Sequence, residues 1–261
     1  MSLPAFNLPP GLRFELRERR YRVRVAQSAD EVQLALKLRY RVFCEELGEG
    51  LDGAEELGID RDPFDDQCHH LLLEVQETGE LVGTYRLQTH AMAAAGLGWY
   101  GSQEFVLDDL QDQVAQQAVE LGRACIAPDH RRSQALYLLW RGLARYMLAS
   151  DARYFFGCCS LTGVDPRAGW ICNEKLKQGG FVDPLHHVRV RPEVACEPVE
   201  ITAAEVDAFE PPALFGTYLR FGTRVASEPA LDREFGTTDF LVLFDREAVP
   251  QRVLDLIFYT E

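Results

Sequence analysis

The sequence predicts an α/β domain, a mixed sheet with helices on its faces. Three observations carry that expectation. Apolar runs of strand length recur at residues 119–127, 154–161 and 238–244. Segments with helical apolar spacing lie between such runs, after Ser28 and over residues 133–150. The resulting order is strand, helix, three strands, helix, strand, helix and two strands, which suits helices layered on a sheet.

Taken in order, Tyr21-Arg-Val-Arg-Val25 alternates as a half-buried strand does. Ser28 reads as the next N-cap, with Glu31 completing a capping box three residues on. The helix carries Val32, Leu34, Ala35, Leu36, Leu38, Val42, Phe43 and Leu47, and Gly48 ends it. Residues 49–67 read as an acidic loop. Strands at 70–76 and 81–88 follow, joined by the hairpin turn Glu77-Thr-Gly-Glu80. Residues 90–115 are helical or irregular. The strand at 119–127 is apolar apart from Glu120, Gly122 and Arg123, and a strongly apolar helix over 133–150 leads to the buried strand at 154–161. A helix over 167–177 stops at Gly179-Gly180, and 181–190 returns to strand. The looser stretch 193–235 holds a helix at 211–221, before a last strand at 238–244 and a terminal helix at 249–257. On this reading residues 1–20 are a leader and 21–261 one domain, with a helical insertion at about 193–235.

Composition narrows the class. With 261 residues, 47% hydrophobic and 26% charged, the chain has the make-up of a soluble globular protein. No run approaches the ~18–20 apolar residues of a membrane-spanning helix. The leader places apolar residues before its basic cluster, the reverse of a secretory signal, so a cytoplasmic location is expected. Seven cysteines without a CxxC read as free, mostly buried thiols. Cys158 and Cys159 are neighbours, and on a strand they point to opposite faces and should not line one site. A net charge of −14 excludes nucleic acid as a partner. A local basic run, Arg131, Arg132, Arg141, Arg145 and Arg153, suits an acidic partner. Neither His69-His70 nor His186-His187 has ligand spacing, so no metal is expected.

Four short motifs, in order, are Arg39-Tyr-Arg-Val-Phe43, Asp62-Pro-Phe-Asp65, Gly83-Thr-Tyr-Arg86 and Glu120-Leu-Gly-Arg123. Together they resemble the acyl-homoserine-lactone synthases. With Phe156-Gly-Cys-Cys-Ser160 and Phe235-Gly-Thr-Thr-Asp239 the chain is still more similar to ornithine-lipid N-acyltransferases and long-chain N-acyl amino acid synthases. The resemblance runs from about residue 21 to 245. It implies the GNAT (acyl-CoA N-acyltransferase) fold, a mixed, mostly antiparallel sheet flanked by helices. The Trp-containing segment of the lactone synthases is missing after Phe43, which favours the amino-acid acylating branch.

The resemblance implies a donor site at Cys125, Ala127, Arg131, Arg132, Ser133, Gln134, Ala135 and Ser160. There the helix N-terminus receives a phosphate of the acyl donor. Arg131–Leu136 contains no glycine to permit close approach of a pyrophosphate, which favours acyl carrier protein over coenzyme A. The arginines would meet the acidic carrier; a solvated basic helix start is the alternative. Glu120 is the candidate base and Arg123 its catalytic neighbour, with a buried Glu–Arg ion pair as the alternative. Three residues apart on a strand, they share a face only if a bulge intervenes, and Gly122 is the place for it. The bulge expected from the resemblance would aim an N–H at the thioester oxygen, and Ala127 marks the expected oxyanion site. Arg39, Phe43, Asp62, Asp65 and Arg86 form the acceptor set, with a purely structural ion-pair network and a core Phe43 as the alternatives. The acyl chain is expected against Leu136, Leu139 and Trp140.

The implied function is transfer of a fatty, 3-hydroxylated or plain, acyl chain from acyl carrier protein to the α-amine of an amino acid, ornithine first. No tightly bound cofactor is expected; the acyl-phosphopantetheine is a co-substrate. Acylation of another amino acid, a lactone-type signal synthase and a non-catalytic binding module are the alternatives. The product's amphiphilicity suggests peripheral membrane contact through residues 6–14.

Overall fold

A computed structural model describes residues 8–51, 53–131 and 133–258, leaving aside the side chain of Ser133. The sheet starts before Tyr21. Glu15-Leu-Arg-Glu18 forms β1 (Glu15–Glu18) and pairs antiparallel with β2 (Tyr21–Val25) across the two-residue turn Arg19-Arg20. Arg19 sits at φ 51°, as such hairpin turns require. The segment read as a leader is thus partly sheet. Leu8 and Leu12 are buried in the main core, so the apolar residues expected to meet a membrane are already packed from Leu8 onward. Phe6 lies outside the described residues.

Helix α1 (Ala29–Tyr40) starts at Ser28, whose hydroxyl accepts from the Glu31 N–H. The expected box is half made, because the Glu31 carboxylate turns to the Gln27 N–H and Arg24 instead. A π-helical turn over Arg41–Glu46 extends the helix. The acidic loop contains α2 (Ala54–Leu57) and a 3-10 turn at Pro63–Asp66. Then come β3 (His69–Val75), β4 (Leu81–Thr89), α3 (His90–Ala95), α4 (Asp112–Gln116), β5 (Ala118–Ile126), α5 (Ser133–Ala149), β6 (Tyr154–Thr162) and α6 (Pro166–Gln178). The last part holds α7 (Ala203–Ala208), α8 (Ala213–Arg220), β7 (Arg224–Val225), β8 (Ala230–Asp232), β9 (Thr237–Asp245) and α9 (Gln251–Ile257). The expected helical insertion therefore also carries two short strands.

The sheet order is β1-β2-β3-β4-β5-β6-β9-β7, with β8 also on β9. Among the described residues β5–β6 is the one parallel neighbour pair; the other pairings are antiparallel. Leu138, Leu139, Leu143, Tyr146 and Met147 of α5 pack with Val23, Leu71 and Leu73 of the sheet as the main core. Residues 181–190 do not form the expected strand. The Asp183 carboxylate accepts from the N–H groups of Leu185 and His186, bending the chain, and isolated bridges at Val182, Val188 and Val190 remain.

Two irregularities position the site. The parallel seam of β5 and β6 holds for three pairs, Ala118–Tyr154 to Glu120–Phe156, and then opens. Gly157 stands at the fork, where a Cβ would collide with the Leu121 carbonyl. On the other side of β5, Thr84 pairs with Cys125 and Arg86 with Gly122, so Arg123 and Ala124 both face Tyr85. This is the expected bulge, but its left-handed residue is Arg123, at φ 47°, rather than a glycine.

Gly157→Ala is expected to lower unfolding stability by about 1–3 kcal/mol, the usual range for overpacking. An unchanged denaturant midpoint would show that the strands do not approach this closely.

Candidate active site

A cavity of about 660 Å³ occupies the fork. Its walls come from β5, the open edge of β6, the π-helical turn, the first turns of α5 and one face of α8. Both Cys158 and Cys159 reach it, contrary to the strand-parity expectation, because the space wraps around the unpaired edge of β6. All seven cysteines are free.

Glu120 is buried on this wall. Its Oε2 accepts from the Tyr100 N–H at 2.8 Å and Oε1 from the Gly101 N–H at 2.6 Å. Burial pushes its carboxyl up to about 7, while the two N–H groups and Arg86 restrain the rise. It does not form the ion pair with Arg123 that was the alternative reading. The bulge brings Arg123 to the same cavity, yet its guanidinium turns to Asp62 at 3.1 Å, Asp60 at 3.3 Å and the Tyr100 hydroxyl at 3.2 Å. It also stacks over the Phe235 and Tyr100 rings.

Behind the cavity lies a buried set of three arginines and three aspartates. Arg39 binds Asp60 at 2.7 Å and Asp65 at 2.6 Å. Arg86 binds Asp62 at 2.6 Å and Asp65 at 3.3 Å. The aspartates come from one tight turn, in which Asp62 caps the Phe64 N–H and Asp65 returns to the Asp62 N–H. Burial opposes ionisation of Asp65, but Arg39 and Arg86 beside it hold its carboxyl well below the usual range.

The expected acceptor set therefore divides. Phe43 and Arg86 line the cavity; Arg39, Asp62 and Asp65 do not, and these carboxylates are taken up by arginines. Asp60 belongs to the network and escaped the sequence reading, being one acid among many in its loop.

The donor set divides as well. Cys125, Arg131 and Ser160 line the cavity. The Ala127 N–H donates to the Val82 carbonyl at 2.8 Å, so the sheet uses it and it is no oxyanion donor. Ala135 is buried in the main core and Gln134 faces Arg19. Arg132 lies outside the described residues, as does the side chain of Ser133 at the start of α5. Arg131 binds Glu46 bidentately, Arg141 binds Glu18 and Arg153 binds Asp245, so much of the basic run is neutralised within the chain. Leu136 lines the cavity, but Leu139 and Trp140 are core. Leu214, Phe215 and Tyr218 of α8 supply the apolar wall instead. Tyr218 shares a short hydroxyl contact with Tyr85. His69 and His70 are buried neutral, each pushed down to about 4 by burial.

Comparison with known proteins agrees with this architecture. The acetyltransferase (GNAT) domain family matches residues 38–141. The L-ornithine N(alpha)-acyltransferase of Brucella abortus (strain 2308) is 33% identical, over 89% of this chain and 86% of that protein. The L-ornithine N(alpha)-acyltransferase of Rhodobacter capsulatus is 34% identical over 92% and 95%. Among solved structures, the AHL synthase LasI superposes with a TM-score of 0.52 at 15% identity, covering 94% of this chain and 99% of its own, which shows the shared fold.

Arg39→Met should cost about 3–5 kcal/mol at pH 7, the usual loss when one partner of a buried pair is removed. The depressed Asp65 carboxyl contributes stability that is present above about pH 4, its unfolded value, and is lost as pH falls. Asp65→Asn should flatten that acid limb in denaturant melts; an unaltered limb would show that the network does not depend on its charge.

Proposed function

We propose that this chain, which belongs to the L-ornithine N(alpha)-acyltransferase family, forms an amide between a fatty acyl group and the α-amine of ornithine, with acyl carrier protein as donor. It is an acyltransferase of the GNAT fold. The observation that carries the finer reading is the fork between β5 and β6, with Glu120 on its wall near neutrality.

A pantetheine arm would enter the fork as an added strand, bonding the free edges of β5 and β6. The thioester carbonyl would then lie against the bulge at Arg123 and Ala124, where the break in the β4 ladder would turn a backbone N–H toward the developing oxyanion. The acceptor arrives as an ammonium ion and must lose a proton before attack. Glu120, directly or through one water, takes that proton. The amine nitrogen bonds to the acyl carbon, the tetrahedral oxyanion collapses, and the C–S bond breaks. The pantetheine thiolate leaves with the electron pair and takes up, through solvent, the second proton that the nitrogen sheds as it becomes the amide. Arg86 lines the cavity and has an unpartnered Nη2, which suits it to the amino-acid carboxylate. The apolar face of α8 would receive the acyl chain, 3-hydroxylated or plain.

The lack of glycine over Arg131–Leu136 supports the carrier protein over coenzyme A, because its arm has one phosphodiester and no nucleotide to cradle. No helix among the described residues is long and apolar enough to cross a membrane. Action in the cytoplasm, with the product leaving for the membrane, fits that observation.

The test is amide formation by pure protein from ornithine with acyl carrier protein or coenzyme A thioesters, read by mass spectrometry. The higher kcat/KM is expected with the carrier protein; a higher value with coenzyme A would reverse the donor assignment. Because Glu120 works ionised, kcat/KM should rise with pH through about 7 and then level. Glu120→Gln should lower kcat by about 10²–10⁴-fold, the usual contribution of a general base. Wild-type turnover in that variant would remove Glu120 as base.

A further inference from the structure

The chemistry above leaves a second group of buried acids unused. Asp239 of β9 pairs with Ser160 of β6, and Cys158 lies two residues before Ser160, so the three side chains share one face. Glu104 reaches the same place from the turn after Gln103, accepting a 3.6 Å hydrogen bond from the Cys158 thiol. Ligand atoms of Glu104, Cys158 and Asp239 lie within 4.8 Å of one another. Cys158, Asp239 and Asp232 also line the cavity.

These acids lack the partners that the Asp60, Asp62 and Asp65 set possesses. Glu104 and Asp239 are each 4% exposed, and Glu104 Oε2 and Asp239 Oδ1 have no hydrogen-bond partner. Among the described residues no ion pair involves Glu104, Asp232 or Asp239; Arg123, the neighbouring cation, is directed to Asp60 and Asp62. Buried acids without a counter-ion are costly unless a ligand supplies one.

We propose that Glu104 and Asp239, with Asp232 at the cavity wall, form a subsite for the side-chain ammonium of a diamino acid, the amine that is not acylated. The inference rests on the proposed acyl transfer and deepens it to substrate selection. An ammonium group offers three N–H donors, matching converging carboxylate oxygens. Burial keeps both carboxyls above their ordinary range, and an ammonium seated between them would offset the charge that burial opposes. Burial pushes the Cys158 thiol up, and it donates to Glu104 rather than adding a further negative charge to the cluster. With one amine held here, the other is presented to Glu120, giving acylation at the α position. An amino acid with an apolar side chain leaves the acids unpaired and is rejected.

Calorimetric titration of ornithine and of norvaline, its analogue without the side-chain amine, tests the subsite separately from turnover. Wild type should favour ornithine by about 10²-fold or more, since a site built for an N–H group discriminates strongly against its absence. Asp239→Asn and Glu104→Gln should each shrink that preference about tenfold or more, a typical loss for a charged hydrogen bond. Both variants should melt no lower than wild type, because each removes a buried unpaired acid. An unchanged preference in folded variants overturns the proposal. So does stoichiometric zinc or manganese in chelator-treated wild type that is lost in Asp239→Asn, which would make the cluster a metal site. Selective ornithine binding without any acylation would leave the subsite standing and remove the acyl-transfer reading alone.

Discussion

Arg123 adopts a left-handed backbone that a side-chain-bearing residue resists by roughly 1–2 kcal/mol, and the carboxylates of Asp60 and Asp62 hold its guanidinium in place. The rest of the site depends on that arrangement. The bulge it creates turns Arg123 and Ala124 out of the β4 ladder and bends β5. Beyond Glu120 the bent strand leaves β6, and the cavity fills the gap. Arg39 and Arg86 in turn hold the turn that supplies the aspartates, so a network that meets the cavity through Arg86 and Arg123 shapes it from behind.

The buried acids of this chain have two fates. Asp60, Asp62 and Asp65 are matched by arginines, and the ionisation of Asp65 is coupled to folding. Glu120, Glu104 and Asp239 are buried without such a match, and their carboxyls are raised accordingly. Retaining unmatched acids costs stability, the usual mark of groups kept for binding or chemistry rather than for the fold. The net charge of −14 does not separate the two populations; only their neighbours do.

Much of the fold was legible in sequence because strand and helix periods differ. The runs at β5, β6 and β9, the hairpin of β3 and β4, and helix α5 all stand close to where periodicity placed them. Glu120 and Arg123 were visible as charges in an apolar strand, and the bulge was foreseen, though at Gly122, since glycine is the usual left-handed residue. What failed depends on tertiary pairing or on side chains that compete for the backbone. Strand β1 lacks the Asn-Gly signal of a two-residue turn, and its alternation, Glu-Leu-Arg-Glu, is short. The 181–190 run has strand composition, but the Asp183 side chain competes for its backbone. Asp60 and Glu104 sit in stretches without periodicity, so nothing local marks them. Asp239 was visible within Phe235-Gly-Thr-Thr-Asp239, but its role requires knowing that β9 lies beside β6.

The most direct measurement is mass spectrometry of lipids from a bacterial host that makes no ornithine lipids of its own, after expression of this chain. It reads head group and acyl chain together. The account predicts a new N-acyl-ornithine, amide-linked at the α-amine. Extracts with no new amide, or with an amide on a different head group, would contradict it.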